Sequence, residues 1–380
     1  MDVTQPLCLL GGLSPRQFMK RHWQKKPLLV RGAVAGMQPL VPRAELFALA
    51  ARDDVESRLV SQAGGQWRFR RGPFGRRALP ALSQPGWSLL VQGVDLHDDR
   101  AHALLEQFRF VPEARLDDLM ISHAADGGGV GPHFDSYDVF LLQSQGRRRW
   151  RIGRQQDLSL RPDVPLKILA NFEPEEEYVL EPGDLLYLPP RYAHDGVALG
   201  ECQTCSIGFR SPGRGELAQE LLQRLSEDAA DLAGEARYRD PAQQATDSPG
   251  EVPLPLRDFA RHALQAALKD PAALDRALGE YLTEPKASVW FEAGDAASAG
   301  AADLPALVLD RRTRMMYDDR HVFINGESHR AAGRDAALLR TLADRRRLVP
   351  RDMARATEAA RSLLASWREA GWLHAVELSQ

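Results

Sequence analysis

The sequence contains little cysteine: only Cys8, Cys202 and Cys205 occur among its 380 residues. This small, odd number excludes a disulfide framework and is typical of a reducing compartment. Cys202 and Cys205 form a C-x-x-C pair, but the surrounding residues alternate like a strand. No second pair is present to complete a tetrahedral zinc site. We therefore interpret the pair as ordinary strand residues.

Long apolar runs are also absent. No window reaches the ~18 uninterrupted apolar residues that a membrane-spanning helix needs. Residues 1–12 lack the basic and apolar regions of a signal peptide. We expect a cytoplasmic protein with no membrane partner. A length of 380 residues predicts two or three domains, because a single core of this size is uncommon.

The net charge of −3 is unevenly distributed along the chain. It is near +1 over residues 1–212, near −9 over residues 213–310 and near +5 over residues 311–380. Such asymmetry predicts distinct modules. An acidic module favours a basic partner electrostatically, although a solvated acidic face without any partner explains the same pattern.

Residues 58–212 consist of short alternating runs bounded by glycine and proline, which is typical of an all-β barrel or sandwich. A turn at Gln145-Gly146 predicts a hairpin between the third and fourth of the strands that we place here. The predicted strands are residues 87–94, 118–123, 138–144, 148–152, 177–180, 185–188 and 204–209.

The segments on either side of this region have helical character. Ser14-Pro15 predicts a helix start, and a second helix is predicted at 43–53. Residues 214–232 and 255–283 are Leu- and Ala-rich with helical periodicity. From about residue 307, a β-like stretch, a turn at Asn325-Gly326, helices at 333–346 and 351–370 and a final short strand predict a winged helix. The predicted α+β domains are therefore 1–212, 213–306 and 307–380.

Two segments carry the residues of a candidate metal site. A glycine-rich loop leads into His133-Phe-Asp135, and in a strand residues i and i+2 face the same side. The second segment runs from Gly183-Asp184 through an apolar strand and a proline-stiffened bend to an exposed His194. Two histidines and one carboxylate form the facial triad that leaves three positions open on Fe(II). A zinc hydrolase with the same ligands remains an alternative.

These segments, together with residues 21–27, 117–122 and 138–151, resemble the JmjC-type cupin oxygenases, in particular the bacterial ribosomal oxygenases. The resemblance covers nearly the whole chain and is weakest between 212 and 310. It implies a double-stranded β-helix, a helical domain that forms a homodimer and a winged helix that does not bind DNA. It also implies Fe(II), 2-oxoglutarate and O2 as reactants, and hydroxylation of an arginine β-carbon in a basic large-subunit ribosomal protein.

The same resemblance implies roles for residues around the metal. Arg148 occupies the position that binds the distal carboxylate of 2-oxoglutarate, and strand alternation places it on the face opposite Arg147 and Arg149. Ser122 is placed to donate a hydroxyl to the same molecule. The residues expected to contact the substrate arginine are Asp118 as anion, Tyr137 as stacking wall, Met120 along the aliphatic part and Ser206.

Three alternatives remain open from the sequence. One is a non-oxygenase metal cupin, such as an isomerase or hydrolase, which needs no inward arginine. Another is a ligand-sensing regulator with the winged helix as DNA reader, although acidic residues are interspersed among the basic ones there. The third keeps the chemistry but acts on histidine or methyl-lysine. Asp118 suits a cationic side chain, which disfavours histidine more than lysine.

Overall fold

The computed structural model describes residues 2–294 and 306–376. The chain divides into two compact units, Met1–Ser211 and Pro212–Gln380. The predicted helical domain 213–306 contains residues 295–305, which lie outside the described residues, as do residues 377–380 of the predicted winged helix. Among the helices that the structure describes, none has the length and apolar character needed to cross a bilayer.

The first unit begins with short helices. The Ser14 hydroxyl accepts a hydrogen bond from the Gln17 N–H, and the Gln17 side chain accepts one from the Ser14 N–H. This capping box, with Pro15 in the first turn, explains why the helix starts where the sequence predicts. The helices of this unit are α1 (Pro15–Arg21), α2 (Arg43–Leu49) and α3 (Asp99–Glu106).

Nine strands of the first unit form one sheet whose neighbouring strands are antiparallel, in the order β1-β8-β6-β9-β5-β4-β2-β3 with β7 paired to β6. Its two faces carry different apolar clusters. Along β6, Phe140 and Leu142 join the main core with the N-terminal helices, whereas Val139 and Leu141 face a second cluster. The strands are β1 (Leu28–Val30), β2 (Ser57–Ala63), β3 (Gln66–Arg71), β4 (Trp87–Val91), β5 (Leu116–Ala124), β6 (Val139–Arg154), β7 (Glu176–Leu180), β8 (Leu185–Leu188) and β9 (Tyr192–Phe209).

The hairpin predicted at Gln145-Gly146 is wrong. β6 continues through these residues and pairs with β9 on both sides of them, with register shifts between Gln143 and Arg147. Gly146 has a φ of 61°, and a Cβ there would lie 2.2 Å from the Glu201 carbonyl oxygen. A left-handed glycine serves a β-bulge as well as a turn. Because β9 continues beside it, the strand bulges instead of reversing.

His123 on β5 is fully buried in the main core, away from the predicted metal ligands. Its ring meets Phe47 edge-on, with ring centroids 5.1 Å apart, and lies 5.7 Å from the Trp87 ring. Neither ring nitrogen has a hydrogen-bond partner among the described residues. Burial lowers the pKa of His123 to about 4, and the nearby Glu201 carboxylate only partly offsets this.

Because the pKa of His123 is lowered, we expect the protein to lose stability in mild acid. An unfolded histidine titrates near 6.5, so between pH 6.5 and 4 the unfolded chain binds more protons than the folded one. We expect His123 to lower the free energy of unfolding by about 3 kcal/mol as pH falls through this window. Urea unfolding at several pH values should show that the free energy of unfolding falls less steeply with decreasing pH in His123→Met than in the wild type. The exposed His262→Gln should keep the wild-type pH dependence, and an unchanged slope in His123→Met would contradict the assignment.

The helices of the second unit follow the predicted periodicity, but each of the two predicted segments is divided, the first of them at Asp228. Residues 255–283 form two helices because Pro271 cannot continue the first of them. Asp270 caps the second, its carboxylate accepting a hydrogen bond from the Ala272 N–H at 2.9 Å. The helices before the winged region are α4 (Arg214–Glu227), α5 (Ala229–Ala233), α6 (Leu254–Ala267) and α7 (Pro271–Thr283).

The last part of the chain contains two three-stranded sheets and three helices. The predicted turn at Asn325-Gly326 is confirmed, with φ of 47° and 89° at these residues, as a two-residue hairpin requires. The segment predicted as one helix at 351–370 forms two helices, because Thr357 is the N-cap of a second helix that begins after it. The elements are β10 (Ala306–Leu309), β11 (Met315–Tyr317), β12 (His321–Ile324), β13 (Glu327–Arg330), α8 (Gly333–Arg345), β14 (Arg347–Leu348), α9 (Pro350–Met353), α10 (Glu358–Glu369) and β15 (Leu373–Val376).

Candidate metal centre

His133 and His194 lie directly opposite each other across an antiparallel bridge. The His133 N–H donates to the His194 carbonyl at 3.0 Å, and the His194 N–H donates back at 2.8 Å. Their ring centroids are 4.2 Å apart. Two details of the sequence interpretation are corrected. His133 forms an isolated bridge and Asp135 follows it in irregular chain, so neither is in a strand; and His194 is buried within β9 instead of exposed.

Asp135 completes a three-residue cluster. One ligand atom from each of His133, Asp135 and His194 lies within 4.8 Å of the other two, and no other such cluster occurs in residues 2–294 and 306–376. The His194 Nε2 is 3.7 Å from an Asp135 carboxylate oxygen. Ligand bonds of about 2.0–2.2 Å place donors of one ion roughly 3–4 Å apart, so these three converge on one centre. The Arg191 N–H donates to the Asp135 carbonyl at 2.7 Å and fixes its backbone.

Backbone carbonyls orient both imidazoles. The Nδ1 of His133 lies 2.9 Å from the Gly131 oxygen, and the Nδ1 of His194 lies 3.0 Å from the Tyr192 oxygen. A carbonyl only accepts, so each Nδ1 carries the proton and each Nε2 has a free lone pair. The hydrogen bonds therefore fix, for both rings, the tautomer and the orientation that metal binding requires.

The burial of His194 keeps its ring neutral. Loss of solvent, together with the neighbouring His133, lowers the pKa of His194 well below its usual range. A metal competes with a proton for the imidazole lone pair, so a neutral ring at physiological pH is the form that binds. Two imidazoles and one carboxylate suit a divalent first-row ion with open positions.

The glycine-rich loop before His133 packs closely against other backbone. A Cβ at Gly128 would lie 2.2 Å from the Trp87 carbonyl oxygen, and one at Gly129 would lie 2.6 Å from the Gly196 oxygen. The Ala198 N–H donates to the Gly128 carbonyl at 2.9 Å. Glycine is therefore needed here so that the loop can lie on β9 and deliver His133 opposite His194.

A buried polar network anchors the chain just after the metal-binding segment. The Tyr187 hydroxyl donates to an Asp138 carboxylate oxygen at 2.6 Å, and the Gln24 side-chain amide donates to the other at 3.0 Å. The Gln24 backbone N–H donates to the Tyr187 oxygen at 2.8 Å. Asp138 is fully buried, so these bonds hold the beginning of β6 and the loop that precedes it.

Arg148 is a buried cation on β6. It is only 5% exposed, whereas Arg147 is exposed, as alternation along a strand requires. Its Nη2 lies 3.6 Å from the Cys202 sulfur, its Nε has no partner, and it forms no ion pair with any acidic residue that the structure describes. Ser122 is also buried and lies opposite Thr204 on β9, two residues along from Cys202. A buried guanidinium without an anion is costly unless a ligand supplies one.

Three of the four residues expected at the substrate lie on the neighbouring strands β5 and β9, and Tyr137 lies in the loop just before β6. Met120 on β5 pairs directly with Ser206 on β9. Asp118 accepts a hydrogen bond from the Gly93 N–H at 3.0 Å. Loss of solvent around the hydroxyl, with the negative charges of Asp135 and Asp118, raises the pKa of Tyr137 above its usual range. Tyr137 therefore lies near both the metal cluster and Asp118.

Sequence reasoning missed one residue of the centre, Trp150. It is buried, and its ring centroid lies 5.8 Å from that of His194. A signal was available, because Trp150 follows Arg148 by two positions and so shares its face of β6. The carbonyls of Gly131 and Tyr192, which orient the histidines, carried no signal because backbone atoms are common to all residues.

Two family models and several known proteins are similar to this chain. A family model described as JmjC domain matches residues 103–217, and one described as ROXA-like winged helix matches residues 266–374. Ribosomal protein uL16 3-hydroxylase of Escherichia coli (strain K12) is 39% identical over 277 residues, covering 71% of this chain and 71% of that protein.

Solved structures match over a larger part of the chain. The X-ray structure of E. coli ycfD has a TM-score of 0.81 at 30% sequence identity, covering 94% of this chain and 97% of that one. A structure of YcfD, a ribosomal oxygenase from Escherichia coli, in complex with cobalt and 2-oxoglutarate has a TM-score of 0.77 at 31% identity. It covers 95% of this chain and 98% of that one.

The fold and the three converging ligands define a JmjC-type oxygenase with an appended winged helix. The chain belongs to the ribosomal oxygenase family. The predicted fold class is thereby confirmed, because a cupin barrel and a C-terminal winged helix are both present.

Proposed function

We propose that this chain is an Fe(II)- and 2-oxoglutarate-dependent oxygenase that hydroxylates the β-carbon of an arginine in ribosomal protein uL16. The observation that carries the proposal is the convergence of His133, Asp135 and His194 on one point, where the described part of the chain adds no fourth ligand. The E. coli relative described as a uL16 3-hydroxylase supplies the substrate and the position of the new hydroxyl.

The metal ligands in this proposal are His133, Asp135 and His194, and three protein donors leave room for a bidentate keto acid and O2. Fe(II) with 2-oxoglutarate and O2 supplies the oxidation, in which one oxygen atom enters the substrate C–H bond and the other enters succinate as CO2 leaves. The protein holds the reactants in place and buries the His194 ring, the innermost of the three ligands.

The dicarboxylate anchor is Arg148, with Ser122 beside it. A guanidinium can donate two parallel hydrogen bonds to the distal carboxylate of 2-oxoglutarate. The unpartnered Nε and the absence of an acidic neighbour in the described part of the chain support this role. A metal cupin that is not an oxygenase has no use for such a cation.

The substrate pocket consists of Asp118, Met120, Tyr137 and Ser206. One Asp118 oxygen accepts from the Gly93 N–H, which fixes the direction of a carboxylate that can pair with a guanidinium. Tyr137 is 38% exposed and near Asp118, so its ring is available to stack on a cation. An anion and an aromatic wall favour arginine or methyl-lysine over histidine.

The direct test uses the purified protein with Fe(II), 2-oxoglutarate, O2 and recombinant uL16. We expect succinate release and the addition of one oxygen atom to one arginine-containing peptide, located by tandem mass spectrometry. The matched control is uL16 with that arginine changed to lysine. Peptides with histidine or methyl-lysine test the alternatives in the same assay, and oxygen added only to these would contradict the proposed substrate.

We also propose that the protein is a homodimer through its helical region, 213–306, and that the winged helix, 307–380, is a separate domain. Support comes from Leu254 and Leu264 on α6 and from Leu268 just after it, which are exposed on one side of the helix. Leu254 and Leu264 are 62% and 59% exposed, which is unfavourable for an apolar side chain left in water. We also propose a cytoplasmic location, because the proposed substrate is a ribosomal protein.

The dimer predicts a specific effect of charge on α6. Leu264→Asp should shift the mass in multi-angle light scattering from dimer to monomer, because burying a carboxylate without a partner disfavours the interface. Arg334→Asp, at an exposed position of α8 outside the helical region, should remain dimeric. A wild-type protein that is monomeric at micromolar concentration would contradict this part of the proposal.

A further inference from the structure

The indole of Trp150 lies between the proposed keto acid anchor and a metal ligand. The Arg148 guanidinium carbon is 5.7 Å from the Trp150 ring centroid, and the His194 ring centroid is 5.8 Å from it. Arg148 and Trp150 share one face of β6, and His194 pairs with Ile152, two residues further along. The ring therefore forms the wall that a molecule held by both Arg148 and the metal would contact.

The orientation of the ring is set by a glycine on the neighbouring strand. Gly196 pairs directly with Trp150, and a Cβ at Gly196 would lie 2.6, 2.7 and 2.9 Å from the Cζ3, Cη2 and Cε3 atoms of the indole. These atoms form the six-membered edge of the indole. The Nε1 atom lies on the opposite side of the indole, so its N–H is directed away from Gly196.

The indole N–H of Trp150 has no hydrogen-bond partner among the described residues, even though the side chain is buried, with only 5% of its surface exposed. Its neighbours in the second apolar cluster, such as Leu141, Ile152 and Leu180, offer no acceptor in their side chains. A buried donor normally pairs, as Trp87 does with the Ala81 carbonyl at 3.2 Å. The Nε atom of Arg148, beside the ring, is unpartnered too. Two unpartnered buried donors along one wall indicate a missing ligand with acceptor oxygens.

We propose that Trp150 is a binding residue for 2-oxoglutarate, whose carboxylate accepts a hydrogen bond from the indole N–H while the ring forms a flat wall along the carbon chain. The inference rests on the proposed function. Besides Arg148 and Ser122, the site would then contain a third hydrogen-bond donor, located between Arg148 and the metal. This role of Trp150 also explains why Gly196 has no side chain, since a larger residue would displace the ring.

The test is Trp150→Phe, which keeps an aromatic ring but removes the N–H. With Mn(II) bound and no O2, calorimetry should show 2-oxoglutarate binding about ten-fold weaker, because a hydrogen bond to a charged group is lost. The Kd for Mn(II) alone should be unchanged. In turnover, KM for 2-oxoglutarate should rise by a similar factor, with kcat and the KM for the protein substrate little changed. Gly196→Ala should also weaken 2-oxoglutarate binding by displacing the ring.

Trp367→Phe is the matched control. Trp367 is also a buried tryptophan whose N–H has no partner among the described residues, and it lies in the core of the second unit. Wild-type affinity for 2-oxoglutarate in both Trp150→Phe and Gly196→Ala overturns the inference, as does an equal loss in Trp367→Phe. Failure of the wild-type Mn(II) protein to bind 2-oxoglutarate at all would instead overturn the proposed function.

Discussion

Replacing His133 by alanine is expected to abolish hydroxylation and to weaken Mn(II) binding by more than about 100-fold. Changes to residues that only orient a ligand already cost roughly 10–100-fold, so loss of a ligand itself should cost more. Asp135→Ala and His194→Ala should behave alike, because the three donor atoms lie within 4.8 Å of one another and serve one ion.

The measurement is Mn(II) titration by calorimetry or electron paramagnetic resonance without O2. In addition, Mn(II) should raise the Tm of the wild-type protein but not of the variants, since a ligand stabilises only the state that binds it. The control is His102→Ala on α3. The His102 side chain lies 3.7 Å from Glu106, and a partly exposed pair of this kind contributes little to stability. Full metal affinity in any one of the three variants would remove that residue from the site.

Arg148→Ala is expected to raise the KM for 2-oxoglutarate about 100-fold, because an anion would then be left in the site without its cation. Arg148→Lys should be intermediate, since an ammonium keeps the charge but cannot form two parallel hydrogen bonds. Arg147→Ala, on the opposite and exposed face of β6, should have no effect on this KM.

A second measurement separates binding from a structural role of Arg148. Without keto acid, Arg148 is a buried cation that forms no ion pair with any described acidic residue. Arg148→Met removes this charge at similar size, so the free energy of unfolding of the metal-free protein should stay equal or rise. In saturating 2-oxoglutarate with Mn(II), the wild type should become the more stable protein. A large loss of stability in the metal-free variant would show that Arg148 is needed for folding instead.

The residues of the metal centre could be named from sequence, but not their surroundings. His133 and Asp135 are only two positions apart, so the chain keeps their side chains close together even though the segment is not a strand. His194 lies about 60 residues further on, and local pattern suggested an exposed residue after a bend. In the structure it is the partner of His133 across a backbone bridge and is buried. Long-range pairing decides that difference, and no local pattern encodes it.

Local chemistry determined much of the secondary structure. Ser14-Pro15 begins a helix and Asn325-Gly326 makes a hairpin, because capping and positive φ depend on neighbouring residues only. The same local signal failed at Gln145-Gly146. A glycine with positive φ fits both a turn and a bulge, and the continuing strand β9 selects the bulge.

By itself, then, the sequence determined which donor groups are available: two imidazoles, one carboxylate and one inward guanidinium, together with the turns and caps that short-range sterics dictate. Only the tertiary structure decided what surrounds them. The carbonyls that set both imidazole tautomers, the burial that keeps His194 neutral and the placement of Trp150 against Gly196 all come from strands far apart in the chain. Desolvation and close packing depend on which distant segments meet, and that is settled only when the sheet has formed.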